Sequence, residues 1–246
     1  MSSKQRSQLI DALRATAVLA MMIYHFAWDL GFFNIVDPVV VNSGMWKLFA
    51  VSIGSSFLFL SGISFWLAAA NGINLKKFLY RLAILLGAAL LVTVGTYKAN
   101  PDTFVFFGIL HLLALCTLLG LLIYRLPAFV LLFLGLAIII GKPYLMSVDF
   151  QPKYLAWTGL FPGPTGSADF YGFFPWSSAY IFGLGVAKFI IGVRPESIWD
   201  TSLFMKPYKR GILQLSFFWI GRNSLLVYLI HQPILMAMIF GYLHYS

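Results

Sequence analysis

Ten residues separate Arg14 from His25 in an apolar stretch, 9–30, that reads LIDALRATAVLAMMIYHFAWDL and also holds Asp11 and Asp29. On a helix, at about 100° per residue, these four side chains fall within an arc of roughly 60°. Their chemistry differs along that line. A guanidinium presents a planar fork of donors that suits phosphate. An imidazole takes up and returns a proton near neutral pH. A carboxylate one turn further on, as Asp29 is from His25, can fix the imidazole tautomer and raise its basicity. An ionisable group at the centre of a bilayer costs about 3 kcal/mol on insertion scales. Such a stripe therefore has to face a cavity or polar partners rather than lipid.

Arg14 and His25 stand about 16 Å apart along a helix rising 1.5 Å per residue. That span is comparable to an extended pantetheine arm. An acyl-CoA with its phosphates on Arg14 would present its thioester near His25. Plainer readings exist for each neighbour. Arg14 can snorkel to the headgroups. Asp29 can mark the helix end, beside Trp28 in an aromatic belt. Asp11, three residues before Arg14, is expected to pair with it structurally. For His25 the cost of burial favours a functional role.

Further candidates lie downstream. Lys77 and Arg81, in KKFLYR, are either a topology signal or part of an anion cradle with Arg14. Arg222 opens the last apolar segment and is grouped with these phosphate ligands. His111 in FGILH reads first as a buried helix contact. His231 in YLIHQP reads equally as a contact or a substrate ligand. Asp169 in SADFY can hold an acceptor's hydroxyls or amine, or simply be a solvated loop acid. Asn223 is an expected N-cap for the last helix, and Pro233 is expected to kink it. No Gly-rich phosphate loop, zinc-ligand spacing or nucleophile elbow is present, so no metal is expected. The single Cys116 excludes an internal disulfide.

The elements that must carry these residues follow from composition. Of 246 residues 60% are hydrophobic and 10% charged, against about 45–50% and about 25% in soluble domains. This is the composition of an all-α, polytopic membrane bundle. The alternating segments of a β-barrel are absent. Seven spans are expected, at 9–31, 46–70, 78–97, 104–124, 127–143, 173–193 and 222–243, in a single integral-membrane domain over 1–246. An interfacial amphipathic helix is expected over 207–220. With the N-terminus cytoplasmic, thirteen Lys and Arg fall at inner ends and four (Lys47, Lys98, Lys142, Lys153) at outer ones. That asymmetry accounts for the net charge of +9 without a nucleic-acid partner. The partner it implies is the bilayer of the inner or plasma membrane. The outer loop, 144–172, is rich in Pro, Gly and aromatics, as binding loops often are.

Arg14-x10-His25 resembles the arginine–histidine motif of the type-3 acyltransferases. FLFLSG at 57–62 resembles their second-helix motif and YLIHQP at 228–233 their late-helix motif. The wider pattern of IDALRATAVLAMMIYHFAWDL, FGILHLLAL, SADFYGFFPW and IGRNSLLVYLIHQPIL resembles bacterial relatives of heparan-α-glucosaminide N-acetyltransferase over nearly the whole chain. The resemblance implies transfer of an acetyl or other acyl group from cytoplasmic acyl-CoA to a glycan or amino-sugar amine or hydroxyl at the outer face. His25 would be the catalytic histidine, by the type-3 match, and Arg14 a cofactor-pocket residue. A proton-coupled transporter using His25 and Asp29 as a relay is the competing class. It would show inverted repeats and broken helices, and none is visible. Whether the chain forms a homo-oligomer stays open.

Overall fold

The computed structural model describes residues 8–193 and 211–245. Lys4, Arg6, Arg194, Lys206, Lys209 and Arg210, which enter the charge asymmetry, lie outside the described residues. So does the start of the expected interfacial helix. Among the described residues there are ten α-helices and no strand: α1 (Gln8–Phe32), α2 (Pro38–Val41), α3 (Gly44–Ala69), α4 (Leu75–Ala99), α5 (Ile109–Ile123), α6 (Ala128–Leu145), α7 (Lys153–Ala156), α8 (Phe173–Val193), α9 (Ile212–Arg222) and α10 (Ser224–Tyr245). Six of them, α1, α3, α4, α6, α8 and α10, are long and apolar enough to cross a membrane. The protein is a polytopic helical membrane bundle.

The span expected over 104–124 is instead the 15-residue α5. At 1.5 Å per residue it covers about 22 Å, short of a hydrocarbon core of about 30 Å. The apolar run begins earlier than the helix does, because the backbone before it is spent elsewhere. The carbonyls of Thr103, Phe104, Val105 and Phe107 accept bonds from Ala168 N, Ser167 Oγ, Thr93 Oγ1 and Tyr171 N respectively. Hydropathy reports the apolar side chains and is blind to this pairing. The C-terminal amphipathic helix, α9, ends two residues beyond the expected boundary.

The helices sort into two compact units. The first contains α1, α2, the beginning of α3, α9 and α10. Val18, Met21, Ile53 and Val227 form its apolar core, with Phe49, Phe57 and Tyr228 against it. A Cβ added to Gly221 on α9 would collide with the Asp11 carbonyl of α1. This close approach of small residues is how helices associate without a hydrophobic drive in lipid. Asn223 sits at the junction of α9 and α10. Its carbonyl accepts from Val227 N, as an N-cap's does, but its side chain turns back to donate to the Trp219 carbonyl at 2.9 Å.

The second unit runs Leu58–Val193. Leu58, Leu112, Cys116, Leu131, Tyr180 and Leu184 are fully buried at its centre. Gly62 of α3 lies against the Tyr180 carbonyl and Gly183 of α8 against that of Phe59, too close in either case for a Cβ. Lys188 Nζ donates to the carbonyls of Tyr124, Arg125 and Leu126 beyond α5, and lies 4.9 Å from the centre of the Trp66 ring. These last carbonyls have no helical partners of their own, and a cation there also opposes the helix dipole.

Candidate functional site

Because α1 is unbroken from Gln8 to Phe32, Asp11, Arg14, His25 and Asp29 do share one face. Asp11 and Asp29 are 1% and 0% exposed, and Arg14 and His25 are partly buried. The polar stripe therefore faces into the first unit. At its lower end Asp11 Oδ2 accepts from Arg222 Nε at 3.3 Å. That bond comes from α9, 211 residues away, and the sequence did not point to it. Arg222 remains 46% exposed, so its outer nitrogens stay open to water or an anion.

The upper end gathers two helices. His25 of α1 and His231 of α10 meet edge to face, with ring centres 4.9 Å apart. Gln232, next to His231, donates from Nε2 to Asp29 Oδ1 at 2.6 Å. His231 Nδ1 lies 2.6 Å from the Tyr228 carbonyl. A carbonyl can only accept, so Nδ1 carries the proton and Nε2 is left as a lone-pair acceptor. Four buried atoms here have no partner: His25 Nδ1, Asp29 Oδ2, His231 Nε2 and Gln232 Oε1. Buried polar atoms are normally bonded, and leaving one unmade costs about 1–3 kcal/mol. Four such atoms gathered on two facing helices single this place out as the candidate site. The expected His25–Asp29 bond is not made: Gln232 holds Oδ1, and Oδ2 has no partner. Gln232 was legible only as a polar residue in an apolar helix, and sequence reasoning gave it no role.

His111 and Asp169 lie in the second unit, and both make hydrogen bonds within it. Gly108 N–H donates to His111 Nδ1 at 3.2 Å, which makes that nitrogen an acceptor. His111 Nε2 then carries the proton and donates to Thr93 Oγ1 at 3.1 Å, and Thr93 passes its own proton to the Val105 carbonyl. Asp169 Oδ2 accepts from Ile109 N at 3.3 Å, in the first turn of α5. Burial pushes the Asp169 carboxyl up to about 6, against the opposing pull of that backbone bond. Lys77 and Arg81 are exposed in the first two turns of α4. No group of three His, Cys, Asp or Glu that could hold a metal occurs among the described residues.

The family described as heparan-alpha-glucosaminide N-acetyltransferase, catalytic, matches residues 6–233. The chain belongs to this family. The match takes in His25, Asp29, His231 and Gln232. Membership places the chain among membrane acetyltransferases and decides between transfer and transport in favour of transfer. No curated protein and no solved structure gave a match.

Proposed function

We propose that the protein moves an acetyl group from cytoplasmic acetyl-CoA to an amine or hydroxyl of a sugar presented at the far side of the cell membrane. The observation that carries this reading is the buried, under-bonded His25–His231 cluster on the face of α1 that also bears Arg14. Arg14, partly exposed about 16 Å from His25 along the helix, suits a phosphate at the lower end. Arg222, with its outer nitrogens open, suits the same charge, and Lys77 and Arg81 are proposed for it from their chemistry. Asp169 and His111, expected from the sequence as acceptor ligands, take supporting roles on that reading, Asp169 by holding its loop to the first turn of α5 and His111 by bonding Gly108 and Thr93.

His25 Nε2 takes the acceptor's proton as its nitrogen or oxygen bonds to the acetyl carbonyl carbon. It returns that proton to the thiolate released when the C–S bond breaks. General base catalysis of this kind contributes about 100- to 10,000-fold. Transfer through an acetyl-histidine at the same nitrogen uses the same placement.

The test is a purified preparation in lipid nanodiscs, given acetyl-CoA and an amino sugar, with free CoA and acetylated sugar both measured. Wild type is expected to form both, and His25→Ala to form neither while keeping the wild-type melting profile. A folded His25→Ala protein that turns over normally refutes the assignment.

A further inference from the structure

We propose that His231 is a positioning residue of the acetyl-transfer site and that it, rather than Asp29, orients the His25 imidazole. The inference rests on the reading of His25 as the reacting base. It starts from tautomers. The short bond from Nδ1 to the Tyr228 carbonyl commits His231 to one protonation pattern, with its Nε2 lone pair pointing away from the backbone of α10. That Nε2 is buried and unbonded, and so is Nδ1 of His25, on a ring whose centre is only 4.9 Å away. One atom of the pair must accept, and the other is free to donate. No other pair of partnerless atoms in the cluster belongs to side chains in ring contact.

On this proposal the His25 ring turns to join them while the Tyr228 carbonyl holds His231 in place. The line then runs from the Tyr228 carbonyl through His231 to His25 Nδ1–H, and leaves His25 Nε2 as the basic nitrogen. Of the two nitrogens of this partly exposed ring, only Nδ1 is buried without a partner, so Nε2 is the one available to a substrate. His231 thereby does for His25 what a carboxylate does in a Ser–His–Asp triad, but without a formal charge in the membrane. Asp29 is less suited. Its Oδ1 is held by Gln232 at 2.6 Å, and it makes no bond to His25. Among the described residues, the other titratable side chains in ring contact with the pair are Tyr24 beside His25 and Tyr228 beside His231, with ring centres 5.7 Å away in both cases.

The experiment combines kinetics with imidazole ¹⁵N spectra of the full chain in nanodiscs. His231→Ala is expected to lower kcat about 100-fold with KM for acetyl-CoA within about twofold, and to displace the acid limb of the pH–rate profile. His231→Gln, which keeps an acceptor, is expected to recover a large part of kcat. In the spectra His25 is Nδ1-protonated in wild type and loses that single form in His231→Ala. A His231→Ala protein with wild-type kcat and pH profile overturns the proposal and leaves His25 as the base. A wild-type spectrum with His25 protonated at Nε2 overturns it without any variant having to fold. Full activity in His25→Ala overturns both this proposal and the reading beneath it.

Discussion

The two units treat their buried polar groups in opposite ways. In the second, His111 has both ring nitrogens bonded, Asp169 caps the first turn of α5, and Lys188 ties down three carbonyls. The partnerless buried atoms there are Trp66 Nε1, Ser177 Oγ and Tyr180 Oη, none of which exchanges a proton readily near neutral pH. In the first unit the partnerless atoms belong to His25, His231, Asp29 and Gln232. A bonded histidine gives stability and has no lone pair to offer. An unbonded one costs stability and keeps its lone pair. The contrast separates a scaffold from a site more sharply than residue type does, since each unit has its histidine and its aspartate.

The contrast is broken first by exchanging the two histidines' fates. His25→Ala should remove about 100- to 10,000-fold of acetyl transfer with little change in melting temperature, measured by product formation and by calorimetry of the same preparation. His111→Ala should do the reverse. It orphans the Gly108 N–H, at about 1–3 kcal/mol, while the Thr93 hydroxyl keeps its bond to Val105, so the melting temperature falls while turnover per folded molecule holds. Next in size is Gly183→Val, which drives a side chain into the Phe59 carbonyl. Overpacking of this kind costs about 1–3 kcal/mol or more and should appear as lost folded yield on size-exclusion chromatography.

The smallest effect is one of pH. The Asp169 carboxyl, raised to about 6 from an ordinary 3.8, binds its proton more tightly when folded. Its contribution to stability is fully present below about pH 4 and is lost as pH rises through about 6. Melting temperature should therefore fall between pH 5 and pH 7, by an amount that Asp169→Asn abolishes. Equal slopes in the two proteins would mean that the carboxyl is not held as described.

Much of this was readable from residue order. The 3.6-residue period placed Asp11, Arg14, His25 and Asp29 on one face, because angle along a helix depends only on spacing. Apolar runs long enough for a bilayer located the six long spans. The period could not say what each polar atom would meet. That Arg222 would bond Asp11 from α9 could not be read from spacing along α1. The partner of Asp29 was expected in His25 and came from Gln232. The start of α5 was misplaced because hydropathy does not register that Phe104, Val105 and Phe107 give their carbonyls to Ser167, Thr93 and Tyr171.

The sequence alone determined that the chain is a helical membrane protein and that one helix carries a stripe of groups able to do chemistry. Both follow from local quantities, namely side-chain polarity and the fixed geometry of one helix. Which histidine is free and which is spent was decided only by tertiary structure. A hydrogen bond needs two atoms within about 3 Å in the right orientation, and for His231, Gln232, Asp29 and Asp169 one of those atoms, or the ring it faces, comes from a helix far away in the sequence.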